Sequence, residues 1–498
     1  MTREIKMKHY ILALICAAIC SCTDLQNMNN DPNNPTETSP SLLLTNIQWE
    51  TFYSSASSDA ALASRYIVDT DGKSNNQYWS WNRGSFSSYA DLADVVKMEQ
   101  EAENNDQQIY VGLAKFFKAY YFYNLALTFG DIPCSESLRA ETDSIYSPKY
   151  DAQEDVFSTI ITYLNEGAEI LKEEAPNYAS ISGDIIASTP SAWIEIINSF
   201  KLKVLMTLSN KSTIGQYRIS DEFKSTVEAG NILKGTDNEA KLEYLDQQDN
   251  RYVFFNSSSF GSARYMDSTF VKTLQMLEDP RLFTFAERTK NAQDNGLAID
   301  DFSAYEGGNP VGAYAKVNEK ATKGNVSKVD SRYYENPTNE QQILVSYAEQ
   351  ELILAEAILR GWISGDAQNH FSNAVRASFK FYADNASDYA EYLGADMVED
   401  YLAQSVVMID ESASFDENLE KILTQKYIRS FFQNLWTPYF EYLRTGYPQF
   451  LIPDDTSVPK RWQYPTSEYN NNANNVQEAI NSQFSGDDII TLDTWWLK

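Results

Sequence analysis

The segment from Asp106 to Thr128 has apolar residues on two faces of one helix. Because a helix that is apolar on two faces must be covered by neighbours on both, it predicts packed helix pairs. Gly130 and Pro133 in "FGDIP" mark its end. One apolar series consists of Ile109, Leu113, Phe116, Tyr120, Tyr123 and Leu127, and the other of Ala114, Phe117, Tyr121 and Leu125.

Similar periodicity predicts most of the remaining chain to be helical. "YDAQEDVF" opens one helix, with Asp151 and Glu154 at the spacing of a capping box. From Asp279 to Gln341 the chain has no sustained periodicity, which is typical of functional loops. The sequence therefore predicts an all-α fold with large loop excursions. The other expected helices begin near Ser88 and span about 191–209, 262–278, 344–362, 366–382 and 417–444.

The first residues have the pattern of an export signal. Arg3, Lys6 and Lys8 precede the apolar run Tyr10–Ile19. That run is shorter than the roughly 20 residues of a membrane-spanning helix, and it suits a secretory signal. It ends in "ICSC", which resembles the lipobox of bacterial lipoproteins and marks Cys22 for acylation by palmitate or a similar lipid.

We therefore expect residues 1–21 to be a lipoprotein signal peptide and residues 22–41 to be a lipidated tether, rich in Asn and Pro. Residues 42–498 would form a single domain. The alternative is an ordinary cleaved signal with incidental cysteines. Beyond Cys22 only Cys134 remains, so no intrachain disulfide is expected.

Charge and histidine content exclude several function classes. The formal net charge of −30 disfavours binding to nucleic acid, because no basic stripe opposes it. His9 leaves with the signal, so His370 alone would have to serve any histidine-dependent nucleophile or zinc site. We expect His370 to be a solvated or capping residue. No cofactor is expected, although "DTDG" at Asp69–Gly72 copies a fragment of a calcium loop and leaves a structural calcium ion open.

Seven blocks in order resemble the SusD/RagB family of Bacteroidetes outer-membrane lipoproteins, and they extend over nearly the whole mature chain. The blocks are "LAKFFKAYYFYNLALTFGDIP", "YDAQEDVFSTIITYLNEGAEIL", "NSFKLKVLMTLSN", "LEDPRL", "YAEQELILAEAILRG", "ILTQKYIRSFFQNLWTPYFEYLRTGYP" and "RWQYPTSEYNNN".

The resemblance implies a fold of tetratricopeptide-like helix pairs whose loops carry the ligand site. Such proteins are anchored in the outer membrane by their lipid and exposed at the cell surface. They capture oligosaccharides, without catalysis, for a SusC-like TonB-dependent transporter. The expected partners are thus that transporter, an oligosaccharide and, through the lipid, the membrane.

Three alternative functions stay open, one of which is a purely structural lid without a ligand of its own. Some family members are RagB-like peptide receptors, which would need deeper apolar pockets and edges that pair with a peptide backbone. A glycoside hydrolase would need two carboxylates: Glu349 and Glu356 lie seven residues apart on one expected helix, about 10 Å along its axis. Inverting glycosidases use separations of about 6.5–9.5 Å. Because these glutamates belong to a block that resembles the family's structural core, we expect no enzyme.

The stretch "NNQYWSWNRGSF" is the first candidate glycan site. Sugars need flat aromatic rings for stacking and polar groups for hydrogen bonds. Tyr78, Trp79 and Trp81 supply the rings, and Asn82 and Arg83 supply the polar groups. We expect these rings to face outward as a platform. The alternative is that a tryptophan fills a gap between helices.

The resemblance to the family implies that the excursion after "DPRL" supplies the other wall of this site. Tyr305 and Tyr314 are its candidates, with Phe260 and Tyr265 of "FFNSSSFGSARY" as further ones. Tyr333 and Tyr334 lie nearer the next helix, so they could be core residues. Arg444 near a helix C-terminus is expected to be structural, with Gly446 as the left-handed cap. Trp495 and Trp496 are expected to dock into the core.

Overall fold

The computed structural model describes residues 39–434 and 436–498, and there the chain forms 21 α-helices and six short strands. The helices of the first half are α1 Pro40–Tyr53, α2 Ser58–Ala63, α3 Ser88–Asn104, α4 Gln108–Phe129, α5 Ala140–Asp143, α6 Gln153–Glu174, α7 Pro190–Thr207 and α8 Ile219–Glu228. Those of the second half are α9 Ser258–Ser262, α10 Ser268–Met276, α11 Leu282–Phe285, α12 Lys290–Asp294, α13 Tyr314–Thr322, α14 Arg332–Glu335, α15 Tyr347–Leu359, α16 Ala367–Asn385, α17 Ala395–Leu402, α18 Phe415–Arg429, α19 Thr437–Thr445, α20 Thr466–Asn471 and α21 Ala473–Phe484.

The strands form three two-stranded antiparallel sheets, β1 with β5, β2 with β3 and β4 with β6. Short 3₁₀ helices lie between the longer elements, and one of them ends the chain. The strands are β1 Ile67–Asp69, β2 Thr213–Ile214, β3 Tyr217–Arg218, β4 Ala240–Leu242, β5 Arg264–Met266 and β6 Gln342–Val345.

Helix pairs build the core, which confirms the all-α prediction. α4 packs against α3 and α6, α6 packs against α7, and α15 packs against α16. Both apolar series of α4 are buried, as expected of a helix with neighbours on two sides. The helix ends at Gly130, whose φ of +94° favours glycine. Among the described helices, none is long and apolar enough to cross a bilayer.

One expected helix is two helices. α18 ends at Arg429 and α19 begins at Thr437, so the continuous helix predicted over 417–444 is wrong. Phe432 has φ +57°, which a right-handed helix does not allow. Pro438 then occupies the first turn of α19. Backbone N–H groups in the first turn make no hydrogen bond within the helix, so the lack of an N–H in proline costs nothing there.

Three helix starts also differ from the sequence prediction. β5 and β6 occupy residues predicted as helical, so α10 begins at Ser268 and α15 at Tyr347. Asp151 does not cap α6, which begins at Gln153. Its carboxylate instead accepts hydrogen bonds of 2.8 Å from the backbone N–H groups of Cys134 and Ser135. Local periodicity therefore locates these helices better than it fixes their ends.

The expected roles of Arg444 and the terminal tryptophans agree with the structure. Arg444 is buried and forms ion pairs of 2.6 Å with both Glu356 of α15 and Glu441 of α19. Gly446 is the left-handed cap of α19, with φ +81°. Trp496 is fully buried, whereas Trp495 is partly buried against the core.

Candidate functional site

The prediction that Trp79 and Trp81 face outward as a platform is wrong. Their exposed fractions are 1% and 4%. The indole N–H of Trp79 donates to the Ala63 carbonyl at 3.0 Å, and that of Trp81 donates to the Arg461 carbonyl at 3.2 Å. Because both rings are buried with their N–H groups satisfied, they anchor this segment to the core.

Burial alternates along the segment from Gln77 to Asn82. Gln77, Trp79 and Trp81 are buried, Tyr78 is half-buried, and the residues at 80 and 82 are exposed. Trp79 has φ +51°, and the chain is in a turn up to this residue. The period of two was visible in the sequence. The sequence did not show that the face with Gln77, Trp79 and Trp81 points towards the core.

Arg65 lies beneath this segment and supports it. Its guanidinium carbon is 4.4 Å from the centroid of the Trp79 ring. It donates to the carbonyl oxygens of Gln77 at 2.5 Å and Leu451 at 3.1 Å. Burial lowers the pKa of Arg65, and the nearby carboxyl of Asp267 opposes that shift.

Asn82 and Arg83 join the segment to the C-terminal part of the chain. The Asn82 carbonyl accepts a hydrogen bond of 2.8 Å from the Gln463 N–H. The guanidinium of Arg83 donates to the Tyr464 carbonyl at 2.6 Å and lies 3.5 Å from the Asp488 carboxylate. Although both side chains reach solvent, the contacts of Arg83 are structural.

The Tyr78 side chain contacts the backbone of the loop that leads to Tyr314. The Tyr78 hydroxyl donates to the Gly312 carbonyl at 2.7 Å. Burial raises the pKa of Tyr78, and a hydrogen bond with the Tyr314 backbone opposes the shift, so the hydroxyl lies at the start of α13. Tyr314 itself is 37% exposed. The structure thus brings together one predicted aromatic residue from each of the two candidate loops. We call Tyr78 and Tyr314 the tyrosine pair.

Gln77 holds the two loops of the tyrosine pair together. It is fully buried, and its side-chain amide donates to the Pro310 carbonyl at 3.0 Å. Its amide oxygen accepts from the Asp69 N–H at 2.8 Å. The sequence does not reveal this role, because a glutamine in a polar stretch has the same signature whether it is exposed or buried. The side-chain oxygen of Asn309 shapes the second loop by accepting a hydrogen bond of 3.0 Å from the Val311 N–H.

Tyr305 and Phe260 are core residues, so their prediction as site residues is wrong. Each is only 2% exposed. The Tyr305 hydroxyl donates to the Ile299 carbonyl at 2.8 Å, and its ring stacks on Phe283 at 5.7 Å between centroids. Phe260 packs on Phe254, with ring centroids 4.6 Å apart. In a chain of 13% aromatic content, many rings are needed to fill the core, and sequence position alone did not separate these from surface rings.

Tyr265 and Tyr334 are half-buried, whereas Tyr333 is fully buried. Tyr265 lies in the middle of β5. The Tyr334 hydroxyl is 3.5 Å from the carboxylate of Glu287. Of these three tyrosines, Tyr265 and Tyr334 therefore remain available to a ligand.

The carboxylates of the hydrolase alternative have structural partners. Glu349 forms an ion pair with Lys203 at 3.2 Å. Burial would raise the pKa of Glu356, yet the guanidinium groups of Arg444 and Arg360 hold it below its ordinary value. A carboxyl group that stays ionised in this way is unsuited to be a general acid.

His370 is partly exposed, as expected of a solvated residue, and it does not cap a helix. Its Nδ1 lies 2.9 Å from a carboxylate oxygen of Glu351. In the part of the chain that the structure describes, no group of three or more His, Cys, Asp or Glu side chains is arranged to hold a metal ion. Asp69 of the "DTDG" fragment forms an ion pair with Arg264.

Comparison with known proteins identifies the family. A family model named SusD-like and described as starch-binding, associating with the outer membrane, matches residues 32–465. None of the curated proteins matches the sequence.

Solved structures resemble the chain over nearly its full length. One is an outer membrane protein from Bacteroides vulgatus, whose name associates it with nutrient binding. It is 46% identical, covers 93% of this chain and 100% of its own, and has a TM-score of 0.89. A SusD homologue from Bacteroides fragilis is 44% identical with the same coverage and a TM-score of 0.88.

A chitin-binding SusD homologue from Flavobacterium johnsoniae shares the fold at 18% identity, with a TM-score of 0.74 over 92% of this chain and 97% of its own. The names of the family and of these relatives describe binding rather than catalysis. The chain belongs to the SusD-like family, which is described as starch-binding and associating with the outer membrane.

Proposed function

We propose that this protein captures oligosaccharides at the cell surface and delivers them to a SusC-like TonB-dependent transporter, without catalysing a reaction. Family membership supports nutrient binding at the outer membrane. The observation that carries the glycan proposal is the tyrosine pair: the Tyr78 hydroxyl donates to the Gly312 carbonyl at 2.7 Å, two residues before Tyr314, and so joins the two loops that carry these phenols. Aromatic rings with polar neighbours suit sugars, which expose C–H faces and hydroxyl edges.

Polar groups around the tyrosine pair can bind sugar hydroxyls. Lys73 lies with its Nζ 5.8 Å from the centre of the Tyr78 ring. Asn75 and Asn309 are exposed on the two loops. The hydrogen bonds of Gln77 fix these loops to each other, so little ordering would be needed when a ligand binds. The names of the family and of a relative with this fold make starch and chitin fragments the first candidate ligands.

The proposed site of action requires an anchor at the N-terminus. Residues 1–21 would be removed as a signal peptide, and Cys22 would carry the lipid. Both lie outside the described residues, as does most of the tether proposed over 22–41, of which the last residues belong to α1. Residues 42–498 would then form one domain held at the outer leaflet of the outer membrane.

A peptide receptor is the second candidate function, and an apolar groove favours it. The groove has a volume of about 560 Å³ and lies between α1, the loop at residues 185–186 and β4. Leu42, Ile185 and Leu245 line it and are exposed. Apolar side chains of an extended peptide would suit such a groove. It shares no lining residue with the tyrosine pair, so variants can separate the two functions.

The test is calorimetric titration of the mature protein with malto-oligosaccharides and chito-oligosaccharides. We expect binding that is lost in the variant Tyr78→Ala/Tyr314→Ala and retained in Tyr146→Ala, which removes a tyrosine that is 77% exposed elsewhere. Circular dichroism would check that all variants keep their helices. Binding of a peptide library, but of no sugar, would contradict the glycan proposal and favour the groove.

A further inference from the structure

The sheet of β1 and β5 continues into two further segments. In the antiparallel pair, Val68 lies opposite Tyr265. Tyr265 also forms an antiparallel bridge with Lys328, and Ala286 forms one with Val329. The N–H of Glu287 donates to the Lys328 carbonyl at 3.0 Å. Four extended segments therefore lie side by side, in the order β1, β5, the chain at 328 and the chain at 287.

The two faces of this sheet have different environments. Residues that lie opposite each other on neighbouring strands point to the same face. One face carries Ile67, Met266, Ala286 and Val329, all of which are buried in the core. The other face carries Val68, Tyr265, Lys328 and Glu287 in one row. Of these four, only Val68 is fully buried.

α13 covers Val68 and leads from this row to the tyrosine pair. A Cβ atom at Gly308 would lie 2.6 Å from a methyl carbon of Val317 and 2.7 Å from one of Val68, so the two valines lie close together. Val317 is one helical turn after Tyr314, about 4.5 Å along the axis. The open part of the row therefore begins next to the helix that starts with Tyr314.

Two half-buried tyrosines border the open part of the row: Tyr265 lies next to Val68, and Tyr334 lies at the far end beside Glu287. The Tyr334 hydroxyl lies 3.5 Å from a carboxylate oxygen of Glu287. Burial raises the pKa of Tyr265, and the charge of Glu287 adds to that shift, so Glu287 is near both phenol groups. Lys328 donates to the Gly261 carbonyl at 2.8 Å. Because Gly261 has no side chain, it leaves the neighbouring edge of the Tyr334 ring uncovered.

We propose that Tyr265, Lys328, Glu287 and Tyr334, which we call the tyrosine row, form a second subsite that continues from the tyrosine pair and selects long linear glycans. This inference rests on the proposed glycan function. Strands lie about 4.8 Å apart, so the three segments beyond β1 extend the sheet by about 14 Å. Two rings would contact the sugar faces, while the carboxylate and the ammonium group would bind hydroxyls along the chain.

Chain length is the property that tests this second subsite. The mature protein would be titrated with maltotriose and maltoheptaose, and with chitotriose and chitohexaose. We expect Tyr334→Ala to weaken binding of the longer sugar about two- to tenfold, the range of one aromatic contact, and to leave the trisaccharide unchanged. In contrast, Tyr78→Ala should weaken the binding of both lengths.

A second variant blocks the Tyr334 ring without removing a side chain, so a loss of binding could not be attributed to misfolding. Gly261→Gln places a side chain beside the Tyr334 ring. A Cβ at Gly261 would be 3.7 Å from that ring, an ordinary contact, and glutamine is a better helix former than glycine in α9. We expect the same selective loss of affinity for the longer sugar, with unchanged thermal stability. Tyr146→Ala is the control.

The outcomes separate the two proposals. If wild type binds both lengths equally, or if Gly261→Gln binds the longer sugar as wild type does, the tyrosine row is not a subsite and the tyrosine pair stands alone. If wild type binds neither sugar series at any length, the glycan function itself is overturned, and the second subsite falls with it.

Discussion

Gln77 donates a hydrogen bond of 3.0 Å to the carbonyl oxygen of Pro310 and thereby joins the loop of Tyr78 to the loop of Tyr314. Its amide oxygen binds the Asp69 N–H at the same time. One buried side chain therefore sets the relative positions of two rings that come from distant parts of the sequence.

Replacing Gln77 with leucine should weaken sugar binding and lower stability. The change keeps the size of the side chain but leaves the Asp69 N–H and the Pro310 carbonyl without a partner, at a cost of about 1–3 kcal/mol. Urea unfolding would measure the free energy, and calorimetry the affinity. Gln477→Leu, at an exposed position, is the control and should change stability by less than about 0.5 kcal/mol. Unchanged affinity in Gln77→Leu would show that the loops do not need this contact.

Trp79→Ala and Trp81→Ala should act mainly on stability. Each removes a buried ring, which typically costs about 3–5 kcal/mol. Trp81 also stacks on Trp462 with ring centroids 4.9 Å apart, so its loss should loosen the C-terminal segment. Chemical denaturation with two spectroscopic probes would measure these losses. A variant that lost sugar binding at wild-type stability would instead place that ring in the ligand site.

Arg444→Ala should be among the most destabilising single changes. It would leave Glu356 and Glu441 buried without their shared guanidinium, and breaking a buried pair in this way costs about 3–5 kcal/mol. Lys290→Ala removes an exposed ion pair with Asp294 and should cost less than about 1 kcal/mol. Thermal unfolding of both variants gives the comparison. Similar melting temperatures would contradict a structural role for Arg444.

The carboxyl group of Asp131 should make stability depend on pH. Burial raises its pKa from the ordinary 3.8 to about 7, although the Gln153 N–H donates to it and opposes the shift. Between these values the folded protein holds a proton that the unfolded chain has lost. The contribution of Asp131 to stability is therefore full below pH 3.8 and falls as the pH rises towards 7.

The variant Asp131→Asn stays neutral at every pH, so it should gain stability relative to wild type between pH 4.5 and 7.5. The upper bound of that gain is about 4 kcal/mol, and solvent contact reduces it. Urea unfolding at several pH values would measure the difference. Asp237→Asn, at an exposed position, serves as the control. A stability difference that is constant with pH would exclude this titration.

Sequence patterns predicted the helices better than the site, for a physical reason. The periodicity of α4 is local, and both of its faces are buried, so the pattern had only one interpretation. The periodicity of residues 417–444 did not predict the break between α18 and α19. The apolar spacing continues there, although Phe432 takes a left-handed conformation. Backbone reversals of this kind depend on tertiary packing.

The site depended on contacts between residues that are far apart in sequence. The motif around Trp79 was recognised, but alternation does not tell which face meets the core. Tyr305 and Tyr314 lie in the same excursion, and only the fold shows that one is buried and the other is exposed. The role of Gln77 was invisible for the same reason, since its partner at Pro310 is known only once the chain is folded.

If Tyr78 binds the sugar as proposed, attachment and recognition are divided between adjacent residues, because Trp79 and Trp81 are buried whereas Tyr78 is half-buried. The hydrogen bonds that hold Trp79 and Trp81 in the core do not involve the side chain at position 78. Mutations at the outward positions can therefore accumulate without unfolding the loop. Under the proposed function, one or two substitutions at such positions would change which polysaccharide is bound, while the buried tryptophans stay the same.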